Sequence, residues 1–400
     1  MKILFVCGSI EPGRDGVGDY TMKLAAELSR QGNLCSVVAI NDCHVLTEFS
    51  GYYNIDSIKM PVLRLPTKWP NKQRYHSASV WIEKQDPDWV SLQFVIYAFR
   101  PNGLPFGIST EMNKMLAGRK LHIMFHELWI GIERSRLIKT FITSTVQKGI
   151  IKHLLTTIKP SIIHTSLPYF QQRLADLGHH GKLLQVFSNI DRYEKNNKSE
   201  NSCLFRIGIF SQIEIYSSVV LFLRALKEQA DTSGIKFEIF LLGGIEAHMK
   251  AKAIQLREQL GDGYNVLVTG YLAPPALSKA LHSCTLGLTS VPRHCLGKSG
   301  SVAAFIAHGI PVAAPHFLTN QGPYKIGFSS SNLCNAIILE PALEHIYLLK
   351  KNILHTANMI EVPAVAKKFI SDLKEQYESR TRHSDNHQFI QSIVPAKRIG

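Results

Sequence analysis

Short runs of apolar and β-branched residues alternate along this chain with longer stretches in which apolar positions recur every three or four residues, the rhythm of βαβ units around a parallel sheet. Residues 2–7 (Lys-Ile-Leu-Phe-Val-Cys) are the first predicted strand. A helix follows from about Tyr20, where Leu24, Ala25 and Leu28 share one face, with Asp19 as its N-cap and Gly32 as its stop. Residues 34–40 predict the next strand; Trp89–Phe94, Leu121–Phe125, Ser161–His164 and Leu183–Phe187 predict further ones, with helices between them. Together they make one complete domain, 1–190.

The stretch 191–202 is polar, lacks apolar periodicity and reads as a linker. A second domain, 203–362, repeats the rhythm, with strands at 204–210, 236–242, 264–269 and 284–290 and helices near 217–230 and 247–260. A short helix from about Gly300 to His308 leads into Ile310–Ala314. An amphipathic helix is expected over 363–378, followed by a basic, polar tail, 379–400.

With 400 residues, 45% of them apolar and 19% charged, the chain can bury two separate cores. No window reaches the roughly 18 to 20 apolar residues of a membrane span. The apolar run at the start is too short for a signal peptide and reads as a buried strand. The cysteines (Cys7, Cys35, Cys43, Cys203, Cys284, Cys295 and Cys334) are odd in number and scattered, with no Cys-x-x-Cys pair and no metal-ligand spacing among the histidines. That pattern fits the cytoplasm and gives no metal site. A formal charge of +14 draws polyanions to the surface, whether nucleic acid, anionic lipid headgroups or phosphorylated substrates.

Four segments carry candidate chemistry. After the first strand, the glycine-rich loop through Gly16, Val17 and Gly18 opens into a helix N-terminus, where free N–H groups and the helix dipole favour a phosphate or a sugar hydroxyl. Many strand-to-helix turns need glycine for geometry alone, but this loop is longer than most. It is not the dinucleotide fingerprint, because Thr21 stands where the third glycine belongs. The strand 121–125 delivers His126 and Glu127 at its carboxyl end, the edge where open parallel sheets place ligands. There the histidine can donate to a sugar hydroxyl, with Glu127 orienting it; a solvated loop histidine is the plainer reading. Gln93 and Tyr97 follow another strand on the same edge, and aromatics there serve sugar rings or the core equally well. Lys298, Ser299, Gly300 and Ser301 open the short helix of the second domain, the composition of a diphosphate site.

Gly297-Lys298-Ser299 also looks like the end of a P-loop, but that pattern needs a glycine where Pro292 stands. The stretch 133–159 sets Arg134, Arg136, Lys139, Lys148, Lys152 and Lys159 among apolar residues. It can dock on an anionic membrane surface or be an ordinary solvated helix face.

With these residues in hand, the chain resembles the family 4 glycosyltransferases of the GT-B fold from residue 2 to about 315. The marks are Asp15-Gly-Val-Gly-Asp-Tyr20, His126-Glu-Leu-Trp129, Ser188-Asn189-Ile190, Lys298-Ser-Gly-Ser301, and Ala307 through Val312. The resemblance implies an α/β chain of two Rossmann-like domains with parallel sheets facing a central cleft, the C-terminal helix crossing back to the first. It implies an acceptor-side first domain and a donor-side second. Transfer would retain anomeric configuration without a metal or other cofactor, the nucleoside-diphosphate sugar being the substrate. Gly16 to Gly18 and Lys298 to Ser301 would embrace the diphosphate, His126 would meet the donor sugar, and Gln93 and Tyr97 would lie toward a glycan, lipid-linked or small-molecule acceptor. Two glutamates common in that family are replaced by Leu296 and Ala304, and its usual arginine and lysine are absent from 208–216. A subset of the family carries a similar basic-Ser-Gly-Ser loop instead.

The leading expectation is a cytoplasmic sugar transferase of polysaccharide, lipid-linked glycan or related glycoconjugate synthesis, with a peripheral place at the inner membrane face left open as an alternative. The rival is a catalytically inactive GT-B-like binding or regulatory protein. A protein acting on nucleic acid is disfavoured, because the chain lacks the interleaved aromatic and basic residues of an RNA-reading sheet.

Overall fold

In the computed structural model, residues 1–116, 118–131, 138–193, 204–316 and 332–375 are described. Arg134, Arg136, most of the expected linker, the last three residues of the expected final helix and the basic tail lie outside them.

The first sheet is built from β1 (Lys2–Cys7), β2 (Leu34–Asp42), β3 (Phe49–Ile55), β4 (Ile58–Pro66), β5 (Trp89–Phe94), β6 (Lys120–Phe125), β7 (Ile162–Thr165) and β8 (Lys182–Leu183). Its order is β3-β4-β2-β1-β5-β6-β7-β8. Its helices are α1 (Gly16–Arg30), α2 (Asn71–Gln85), α3 (Ile96–Phe99), α4 (Ile108–Leu116), α5 (Ile138–Ile158) and α6 (Pro168–Ala175). All pairings are parallel except β3 with β4, an antiparallel hairpin that the strand reading of the sequence did not contain. Its turn places Asp56 and Ser57 at φ +47° and +68°, the left-handed pair that suits the twist of a two-residue hairpin. The parallel strands run nearly continuously buried, as in β1 and β5, because helices cover both faces.

The helix α1 begins one turn before the expected start. Asp15, not Asp19, is the N-cap, its Oδ1 accepting from the Val17 and Gly18 N–H groups at 2.9 and 2.8 Å. Asp19 lies in the first turn and accepts from the Gly13 N–H at 3.1 Å.

The second sheet holds β9 (Leu204–Phe210), β10 (Lys236–Leu242), β11 (Asn265–Val268), β12 (Leu286–Leu288), β13 (Val312–Ala313) and β14 (Ile337–Ile338), in the order β11-β10-β9-β12-β13-β14. Around it lie α7 (Ser217–Thr232), α8 (Glu246–Leu260), α9 (Pro274–His282), α10 (Gly300–Ala307), α11 (Leu343–Asn352) and α12 (Leu354–Met359). A last helix, α13 (362–375), returns to the first sheet. Its Val365, Ala366, Phe369 and Leu373 join Ile3, Phe5 and Met124 in one buried cluster, with the Phe5 and Phe369 rings stacked 6.0 Å apart. Among the described residues no helix is long and apolar enough to cross a membrane.

The four tryptophans, Trp69, Trp81, Trp89 and Trp129, all belong to the first domain, so their fluorescence reports its integrity alone. Phe369→Ala removes a fully buried ring from under that sheet. It should cost about 3 to 5 kcal/mol, seen as an earlier tryptophan transition in urea; an unmoved transition would mean that α13 does not support the first domain.

Candidate functional site

The carboxyl ends of β1, β5 and β6 point to one edge of the first sheet, and an open cavity of about 520 Å³ lies against that edge. From the first domain Gly8, Gly16, Val17, Tyr20, His126 and Glu127 line it; Lys298 and Gly300 reach it from the second. Close approach of the two halves depends on Gly297, where an added Cβ would lie 2.7 Å from the Ser166 carbonyl oxygen. Lys298 Nζ meets Glu127 Oε1 at 3.1 Å, an ion pair across the cleft.

His126 follows β6 and is 8% exposed. Its Nε2 lies 2.9 Å from Gln93 Oε1, so Gln93 orients the ring and Glu127, committed to Lys298, does not. Tyr20 packs edge-on to His126 with ring centres 5.0 Å apart and stacks on Phe187 at 4.4 Å. Burial pushes the His126 imidazole down to about 3, so at neutral pH it is uncharged.

Several expected site residues sit elsewhere than the sequence placed them. Gln93 is 1% exposed beneath His126 and does not line the cavity, so it is a support rather than an acceptor-side contact. Tyr97 is exposed beside the cleft and also outside its lining, its hydroxyl accepting from Gln147 Nε2 at 3.1 Å. The Val17 and Gly18 N–H groups, expected to be free for a ligand, are taken by Asp15. Gly18 serves packing instead, since a Cβ there would come 2.5 Å from the Ser9 carbonyl oxygen. Ser299 caps α10, accepting from the Val302 N–H at 3.4 Å, and its hydroxyl lies 3.0 Å from that of Ser301. Neither serine lines the cavity, whereas Lys298 and Gly300 do.

Arg14, Asp15, Tyr20 and Asn189 also line the cavity; the last three belong to segments that carry the family resemblance, which assigns them no site role. Tyr20 Oη and Asn189 Oδ1 are buried without a hydrogen-bond partner. Such atoms cost free energy unless a ligand or water meets them. Residue type alone gives neither a ligand role, because a tyrosine one turn into a helix and an asparagine in a loop are ordinary residues; only their place in the two motifs sets them apart. Among the described residues no group of three His, Cys, Asp or Glu side chains could hold a metal.

The depressed His126 value has a sign that can be checked. As pH falls below about 6.5 the unfolded chain takes up this proton before the folded one does, so stability present at pH 7 is lost toward a pH of about 3. By about pH 5 the loss is about 2 kcal/mol. The difference in unfolding free energy between the wild type and His126→Gln should therefore shrink by about that amount from about pH 7.5 to about pH 5. A constant difference would show that the folded histidine titrates normally.

No protein-family model matches the sequence, and no curated protein matches it. Solved structures do match in fold. A glycosyltransferase from Rickettsia africae superposes with a TM-score of 0.59 at 12% identity, over 94% of this chain and 98% of its own. The E. coli trehalose-6-phosphate structure bound with UDP-2-fluoro glucose gives 0.57 at 12% identity, over 94% and 99%. Anabaena Alr3699/HepE in complex with UDP and glucose gives 0.56 at 15% identity, over 94% and 100%. Over nearly its whole length, then, the chain has the GT-B fold, two Rossmann-like domains of mainly parallel sheet facing one cleft.

Proposed function

We propose that this protein is a glycosyltransferase that moves a sugar from a nucleoside-diphosphate donor to an acceptor hydroxyl. The observation that carries the reading is the facing pair at the cleft: an uncharged, buried His126 on the first domain, and Lys298 at the start of α10 on the second. An uncharged imidazole can bond a sugar hydroxyl without adding charge beside the reacting carbon. Lys298 and the N-terminal end of α10 would neutralise the leaving diphosphate, a task otherwise given to a metal. In this scheme Lys298 exchanges Glu127 for the donor.

Transfer with retention follows if the leaving phosphate assists the attacking hydroxyl on the same face, which needs no protein base. The ordered marks around Gly16, His126 and Lys298 support a family 4-like member without the two-glutamate motif. UDP is the first donor base to try, since two of the structural neighbours were solved with UDP or a UDP-sugar. Exposed Ile138, Phe141 and Ile142 at the start of α5, with Lys139 among them, support docking at an anionic membrane surface and hence a lipid-linked or surface-glycan acceptor. An inactive binding protein is the second reading, favoured by Leu296 and Ala304 in place of the glutamates.

Thermal unfolding in the presence of UDP, GDP, ADP and CDP and their sugar conjugates separates the two. A ligand at about 100 times its dissociation constant adds roughly 2.7 kcal/mol, and selective stabilisation by one base followed by sugar release or transfer is the expected result. Stabilisation with no turnover would favour the inactive reading, and no stabilisation in a folded sample would remove the nucleotide site. Lys298→Ala should weaken binding of that donor roughly 10- to 100-fold, the range for losing one charge-assisted contact of about 1.5 to 3 kcal/mol. Unchanged affinity would take Lys298 out of the site.

A further inference from the structure

Beneath His126 a continuous row of polar side chains crosses the interior of the first domain. Gln93 Nε2 donates to Ser91 Oγ at 2.7 Å, and Ser91 Oγ lies 2.8 Å from His122 Nδ1. His122 Nε2 lies 2.9 Å from His164 Nδ1, and His164 Nε2 lies 3.1 Å from Asp372 Oδ2 on α13. Every member of the row is buried, Ser91 and His164 completely. Asp372 also accepts from Lys182 Nζ and Lys368 Nζ, each at 3.0 Å.

Five hydrogen bonds in series admit two directions, and the far end selects one. Burial raises the Asp372 carboxyl, but the hydrogen bonds from His164, Lys182 and Lys368 outweigh it and hold the group ionised, able only to accept. His164 must then donate from Nε2, and burial keeps it uncharged, so its Nδ1 accepts from His122 Nε2. His122, uncharged for the same reason, accepts at Nδ1 from the Ser91 hydroxyl. Ser91 accepts from the Gln93 amide, and Gln93 Oε1 accepts from His126 Nε2–H. That leaves Nδ1 of His126 as a bare acceptor, and the ring makes no other hydrogen bond among the described residues. In the reverse direction the Gln93 amide turns over and His126 carries its proton on Nδ1. The two states differ in what His126 offers a ligand, an acceptor in one and a donor in the other.

We infer that Asp372 is a positioning residue for the cleft: through His164, His122, Ser91 and Gln93 it fixes His126 as the Nε2–H tautomer, presenting an acceptor nitrogen to a hydroxyl of the bound ligand. That the ligand is a sugar donor rests on the function proposed above; the tautomer assignment does not. The row joins parts of the chain far apart in sequence, since the carboxylate is supplied by α13 and His126 follows β6, the third strand from the β8 edge of the first sheet.

The test is the long-range proton–nitrogen spectrum of the full chain labelled with 15N-histidine, with the His126 signals identified by their loss in His126→Gln. The wild type should show His126 in one form, Nε2 protonated and Nδ1 not. Asp372→Asn replaces the acceptor-only end with a group that can also donate, and Ser91→Ala cuts the row midway. Either should turn the single form into a mixture or reverse it, while Asp372→Glu should restore it. Unchanged tryptophan fluorescence identifies the variants that remain folded, and two independent cuts guard against one that does not. If His126 keeps the Nε2–H form in a folded Asp372→Asn or Ser91→Ala protein, the inference is wrong. Addition of UDP-glucose gives a separate readout: it should move the wild-type His126 Nδ1 signal. If that signal stays still while the tautomer follows Asp372, the row stands as assigned and the donor reading of the cleft fails.

Discussion

A polar group sealed inside a protein has to find its partners there, and the first domain carries a whole row of them. Ser91, Gln93, His122 and His164 all project from strands that are otherwise apolar, onto the same face that Phe5, Met124 and Phe369 fill. An all-apolar layer would pack at lower cost, so the row constrains everything around it. The registers Ser91↔His122 and His122↔Ile162 must hold, because a slip of one residue would send these side chains to the other face. The helix α13 must be seated, or His164 loses its carboxylate.

The same registers bring the ends of β1, β5 and β6 to a common level, so the chemistry of the first domain gathers at one rim. Open parallel sheets concentrate ligands at that rim because loop glycines, helix starts and strand-end side chains converge there. The second domain contributes a short turn rather than a surface. Gly297 lets it approach the Ser166 backbone, and Lys298 closes the gap to Glu127. Position on the two sheets decides which residues meet, more than any one residue's identity.

How much of this was legible in the sequence varied with the physics. Parallel strands buried on both faces leave nearly continuous apolar runs, so β1, β5, β6, β9 and β10 could be read with nearly correct bounds. The hairpin β3–β4 could not, because β3 alternates exposed and half-buried positions at a sheet edge and its turn uses Asp56 and Ser57 without glycine. The start of α1 was misplaced because Gly16 and Gly18 suggest loop, while the capping oxygen of Asp15 decides the matter. His126, Glu127 and Lys298 do line the cavity, and their position was legible because each stands next to the end or start of an element at that rim. Gln93, expected on the acceptor side, lies sealed beneath His126 instead, since alternation along β5 does not say which face is covered. The row to Asp372 left no local trace: His164 and Asp372 are 208 positions apart, and only the folded chain makes them adjacent.

The return of α13 also has a consequence for biosynthesis. On a ribosome the first domain emerges with its helices and both sheet faces specified, yet one face stays without Val365, Phe369 and Leu373 until the entire second sheet has been made. During that interval Ile3, Phe5 and Met124 lack part of their apolar cover and His164 Nε2 lacks its carboxylate acceptor. Nascent domains ordinarily fold in order as they appear; here the first sheet receives its last covering helix only after the second sheet has been made.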